Sequence, residues 1–177
     1  MSLFSLQHLK EGVSGREVVS WAAFDFANSG YTTVVLTAVF NAYFVGVICE
    51  EASWATLLWT TVIAVSNILA IVSMPLIGAA SDLKANKKFW TVLMSLICIA
   101  GTVGLAFTGT GTIVWAGLMV MVSNFACNVG ETLNSAFLPE IADDRSIGKV
   151  SGWGWSFGYC GGLLTLGLSL VVVLAMQ

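Results

Sequence analysis

The sequence predicts an all-α membrane protein that crosses the bilayer five times. Of its 177 residues, 57% are apolar and only 10% charged, where soluble domains run at roughly 45–50% and 25%. The apolar residues gather into five runs, each long enough for a membrane span. All seven lysines and arginines fall before the first run or in every second gap between runs, which puts them on one side of a membrane.

The first run covers about 18–47, the second 55–80, the third 89–108, the fourth 113–138 and the fifth 151–176. A hydrocarbon core of about 30 Å takes roughly 20 apolar residues as helix, so each can cross once. The separators are short, which makes sequence neighbours antiparallel neighbours in space. No soluble domain, repeat or low-complexity tract interrupts them, so 1–177 reads as a single transmembrane domain.

Direction follows from the basic residues, which are retained on the cytoplasmic side. Lys10 and Arg16 precede the first run, Lys84, Lys87 and Lys88 lie between the second and third, and Arg145 and Lys149 lie between the fourth and fifth. The other loops carry none, so the N-terminus is expected in the cytoplasm. The first ten residues have neither a basic start nor a long apolar core, and no cleavable leader is expected. The chain stops at Gln177 beside the end of the fifth run, which suggests a fragment.

Several chemistries are disfavoured. Cys49, Cys98, Cys127 and Cys160 are scattered singly among apolar residues and read as packing residues. His8 is the only histidine, leaving little material for a zinc site or a Ser-His-Asp triad. No enzyme activity, metal or cofactor is expected. A net charge of −3 offers nothing to a nucleic acid.

Ionisable groups at membrane depth are functional candidates because they are costly there. Asp25 in the first run is followed by Asn28, Ser29 and Thr32 at spacings of three, four and seven, all on one helical face. In the fourth run Asn124, Asn128, Glu131 and Ser135 form a similar stripe. At about 1.5 Å per residue, Asp25 lies roughly 10 Å, and Glu131 roughly 12 Å, from the cytoplasmic end of its helix. A wetted position or a packing hydrogen bond would explain either carboxyl. A shared cavity contacting solute or protons would explain both. Asn41 and Asn67 stand singly and read as interhelical hydrogen-bonding groups.

The fifth run carries Gly154, Gly158 and Gly162 at every fourth position, a groove that admits another helix closely. Trp153 and Trp155 near its start read as interface anchors. Between the second and third runs, small residues, an acid and a basic cluster form a tight cytoplasmic turn.

That turn resembles the signature loop of the major facilitator superfamily: Gly78, three residues, Asp82, then Lys87 and Lys88 five and six positions on. Leu83 and Ala85 stand where a basic residue and a glycine are usual. The stretch from Trp21 through Asp25 and Asn28 to Thr33, Leu138-Pro139-Glu140-Ile141-Ala142, and the glycine-rich stretch from Ser151 to Gly162 resemble the branch of autophagy-related vacuolar amino-acid effluxers and their bacterial relatives.

The resemblance implies twelve spans in two six-helix bundles, with alternating access around a central site. This chain would supply five helices of the N-terminal bundle, its sixth helix and the second bundle being absent. The first and fourth helices line the cavity in that fold. The implied function is secondary active transport of small solutes, amino acids among them, with proton coupling. Asp25 and Glu131 would be cavity carboxyls, with Asn28, Asn124 and Asn128 as polar ligands. Gly78, Asp82, Lys87 and Lys88 would form the gating loop. The expected partners are the lipid bilayer, a small-molecule solute, and a missing C-terminal bundle or partner subunit. The membrane would be a bacterial inner membrane or that of an organelle. The alternative is a truncated membrane protein that does not transport and serves as a structural or partner subunit.

Overall fold

A computed structural model describes residues 9–10, 12–83 and 86–175, with only the backbone at 82 and 83. The described residues form five long helices: α1 (Gly15–Ile48), α2 (Ala55–Leu83), α3 (Lys87–Leu105), α4 (Ile113–Ser135) and α6 (Ile147–Ala175). A single turn, α5 (Leu138–Ile141), follows α4. All five long helices are long and apolar enough to cross a membrane. At about 1.5 Å per residue even α3, with 19 residues, reaches roughly 28 Å.

The helix ends have local causes. Ser14 caps α1 in a capping box: its side chain accepts from the Glu17 amide, and Glu17 Oε2 accepts from the Ser14 amide at 2.8 Å. The helix therefore begins at Gly15, three residues before the run read from hydropathy. At its far end Glu50 and Glu51 both take positive φ, 51° and 57°, turning the chain toward α2. α3 ends at Leu105, short of the expected 108, in turns through Thr108 and Gly109. α4 ends at Ser135 because Pro139 needs the start of a new helix, where its missing N–H is harmless.

α1 is not uniformly α-helical. Thr32–Ala38 and Phe44–Ile48 are wound as π-helix, with α-helix at Val39–Tyr43 between them. The Thr37 hydroxyl follows the wider winding and donates to the Thr32 carbonyl at 3.0 Å. α2 continues through Pro75, where one backbone hydrogen bond is forgone.

The chain divides into two compact units. The first comprises residues 1–39 and 134–177. Its core is Leu9, Val18, Ile141, Ala142 and Val150, flanked by Trp21, Leu138 and Trp153. The Lys10 amide donates to the Ile141 carbonyl at 3.1 Å, so the segment before α1 is tied to α5. Trp21 Nε1 donates to the Asn134 carbonyl at 3.0 Å, and Asn134 Nδ2 returns a bond of 3.4 Å to the Trp21 carbonyl.

The second unit comprises residues 40–133. Ala70, Met94, Ala126, Val129 and Leu133 form its core across α2, α3 and α4. Phe40, Phe44 and Trp59 stack at 5.1–6.2 Å between ring centres, joining the end of α1 to α2. Small residues set the spacing of α3 and α4: Gly101 packs on Ser123 and Gly104 on Met119.

The distribution of side chains suits lipid. Leu57, Ile71, Val72 and Leu76 on α2, and Leu163, Leu164 and Val171 on α6, are exposed. The buried positions of α6 are Val150 and four glycines. Large side chains facing out with small ones facing in is the reverse of a soluble core, and close packing of small residues is what associates helices in lipid.

Candidate functional site

In the first unit the polar face of α1 meets the glycine face of α6. The Asp25 carboxylate is half-buried and lies over Gly158, where an added Cβ would sit 2.6 Å from Asp25 Oδ2 and 2.9 Å from Ser29 Oγ. One turn away Gly154 receives the edge of the Trp21 ring, and Gly162 receives Thr33 Oγ1. Gly161 is packed tightest, against the Phe26 carbonyl. On the α1 side Gly30 makes room for Thr165. All three glycines of the expected stripe are therefore buried against α1. Gly161 and Gly30 extend that contact beyond the every-fourth pattern.

Among the described residues no donor reaches the Asp25 carboxylate. Ser29 is beside it, but its carbonyl is taken by Thr33 Oγ1 at 2.8 Å. Asn28 is half-buried on the same helix, and its carbonyl accepts from Thr32 at 3.4 Å.

In the second unit the stripe on α4 meets α2. Asn124 is 2% exposed, which at mid-helix requires every polar atom to be matched. Its Nδ2 donates to Ser66 Oγ at 3.1 Å and to Asn67 Oδ1 at 2.9 Å. Asn128 Nδ2 also reaches Asn67 Oδ1, at 3.1 Å. Ser66, itself fully buried, donates to the Met121 carbonyl at 2.9 Å. Glu131, one turn further along α4, is exposed.

Asp25 and Asn28 thus belong to one unit, and Asn124, Asn128 and Glu131 to the other. Within the second, the structure joins Asn124 and Asn128 through Asn67, which reads from sequence as an interhelical hydrogen-bonding group. The missing signal was register. Ser66 and Asn67 are adjacent, and together they reach the two asparagines one turn apart on α4.

In the loop between α2 and α3, Ser81 Oγ donates to the Gly78 carbonyl at 2.8 Å, and the Asn86 amide closes the turn onto the Ser81 carbonyl at 3.0 Å. Gly78 has open space where a Cβ would stand. Lys87 opens α3 half-buried, and Lys88 is exposed. The Asp82 side chain lies outside the described residues.

Five apolar helices, with aliphatic side chains turned outward and glycines and amides turned inward, define an integral, multi-pass α-helical membrane protein. Over 161 residues, 89% of its length, the chain is 28% identical to the uncharacterized MFS-type transporter YxiO of Bacillus subtilis (strain 168). It spans 38% of that relative's length. The similarity supports membership of the major facilitator superfamily. No protein-family model matches the chain, and no solved structure matches it.

Proposed function

We propose that the chain is the N-terminal part of a secondary active transporter of the major facilitator superfamily, in the branch of the vacuolar amino-acid effluxers and their bacterial relatives. The complete transporter moves small solutes, amino acids among them, by alternating access with proton coupling. The observation that carries this reading is the similarity to an MFS-type transporter across 89% of the chain. Carboxyl and amide groups at membrane depth on α1 and α4 support it, since such groups mark solute and proton paths.

In this reading the N-terminus is cytoplasmic. Asp25 and Glu131 contact solute or protons, and Asn28, Asn124 and Asn128 present polar atoms to the pathway. The half-buried Asp25 carboxylate, with no donor on it among the described residues, is suited to exchanging a proton. Gly78, Asp82, Lys87 and Lys88 form the cytoplasmic gating loop. A C-terminal bundle, or a partner subunit supplying one, completes the rocking pair.

The test uses the longer protein encoded by a reading frame that continues past Gln177, reconstituted in vesicles with an imposed pH gradient. Uptake of labelled amino acids driven by the gradient is expected. Asp25→Asn and Glu131→Gln should each abolish the dependence on the gradient. A native stop codon after Gln177, or gradient-driven uptake indifferent to both substitutions, would count against the reading.

A further inference from the structure

The amide network of the second unit has a polarity that can be followed atom by atom. The Ser66 hydroxyl proton goes to the Met121 carbonyl, so Ser66 Oγ can only accept from Asn124. Asn124 therefore turns its NH2 toward α2, and the same group donates to Asn67 Oδ1. Asn128 Nδ2 faces three oxygens: Asn67 Oδ1 at 3.1 Å, the Asn124 carbonyl at 2.9 Å and Asn124 Oδ1 at 3.2 Å. Turning that amide over would set its oxygen against all three. Each carboxamide is thus held in one orientation.

Among the described residues two groups of this network are left over, the NH2 of Asn67 and the Oδ1 of Asn128. Asn67 is exposed and Asn128 half-buried, while Asn124 and Ser66 beneath them are buried. Asn67 stands twelve residues into α2, roughly 18 Å along it, where a polar group on open hydrocarbon is costly. An amide locked by two donors on its oxygen, with its NH2 turned to an exposed face at that depth, is a prearranged hydrogen-bond donor.

Resting on the transporter reading above, we propose that Asn67 Nδ2 and Asn128 Oδ1 are a donor and acceptor pair that binds an uncharged polar group of the solute, such as a carboxamide or hydroxyl. Asn124 and Ser66 are positioning residues that hold the pair. The network carries no formal charge, so it offers an ion no counter-charge at a depth where an ion most needs one. A neutral group that both donates and accepts fits it.

The test is carried out on the chain in lipid nanodiscs with 15N-labelled asparagine. The Asn67 side-chain NH2 resonances, assigned by their loss in Asn67→Asp, are followed while acetamide or myo-inositol is added. Tetramethylammonium and acetate serve as ionic controls. Saturable shifts with the two neutral probes, and none with the ions, are expected. Asn67→Asp keeps an acceptor for Asn124 and Asn128 but removes the outward donor. It should weaken the probe affinity read at Asn128 about tenfold, equivalent to about 1.4 kcal/mol. Absence of saturable shifts, equal shifts with the ions, or unchanged affinity in Asn67→Asp overturns the proposal. The wild-type titration decides it even where the variant fails to fold. A longer protein whose uptake needs Asp25 and Glu131 while Asn67 ignores the probes leaves the transporter reading standing. An amide that responds in a protein moving no solute separates the two readings the other way.

Discussion

Gly158 of α6 lies so close beneath the Asp25 carboxylate of α1 that a methyl group on its Cα would stand 2.6 Å from Asp25 Oδ2. The glycine is what allows a carboxylate to fit within a helix contact at all. Gly158→Ala must displace either the carboxyl or α6, and overpacking of this kind costs about 1–3 kcal/mol. Asp25→Ala removes the nearest obstructing atoms and leaves Ser29 Oγ, at the end of a side chain that can turn aside. The double variant should therefore recover much of the loss, with a coupling of about 0.5–3 kcal/mol in a thermodynamic cycle measured by unfolding in detergent. Strict additivity would show that the two residues do not touch.

A sharper contrast is expected between two glycines of the same helix. At Gly161 a new Cβ would meet the backbone carbonyl of Phe26, which cannot turn aside as a side chain can. At Gly167 it would meet nothing within 4 Å. Gly161→Ala should lower the melting temperature more than Gly158→Ala does, whereas Gly167→Ala should leave it unchanged or raise it. Equal effects at 161 and 167 would mean that α6 is rotated from the position described.

Asn124→Leu should destabilise the protein by about 1–3 kcal/mol. It strips the donor from Ser66 Oγ and one of two donors from Asn67 Oδ1, in surroundings without water to replace them. Asn124→Leu combined with Ser66→Ala should be less damaging than the single change, because the Ser66 oxygen that lost its donor is removed with it. Melting curves in nanodiscs distinguish the two cases.

Trp21→Phe loses the indole N–H that the Asn134 carbonyl accepts, along with the outer edge of the ring over Gly154. A loss of about 0.5–1.5 kcal/mol is expected. Faster hydrogen exchange at the end of α4 should accompany it. Unaltered exchange there would show that the bond does not hold the helix end.

Ser14→Ala removes the side-chain acceptor of the capping box and should cost about 0.5–2 kcal/mol. Its effect should be confined to the first turn of α1 in amide exchange, because Val18 and Ala22 remain packed beyond it.

Much of the architecture is legible from hydropathy alone, since a span must be about twenty apolar residues and lipid tolerates little else. The five long helices fall on the five apolar runs, and Ser14-x-x-Glu17 carries the capping pattern that starts α1 at Gly15. The winding of α1 is different in kind. Nothing in Thr32–Ala38 marks π-helix, because the choice depends on what the helix packs against. The three spaced glycines were readable as a groove, but Gly161 was not, since its role comes from where the Phe26 carbonyl lies. Asn67 was readable as an interhelical hydrogen-bonding group, but its partners were not. A lone amide has no partner in a one-dimensional pattern, and its partners are 57 and 61 residues away.

The directional amide network also bears on how the chain can change over generations. Ser66, Asn67, Asn124 and Asn128 hand protons along in one sense, so replacing any one by an apolar residue leaves a neighbour stranded. Single drift at these positions should be rare and paired drift tolerated. Ser66 and Asn124 would be expected to become apolar together, and Asn67 to keep a side-chain oxygen for as long as Asn128 keeps its amide.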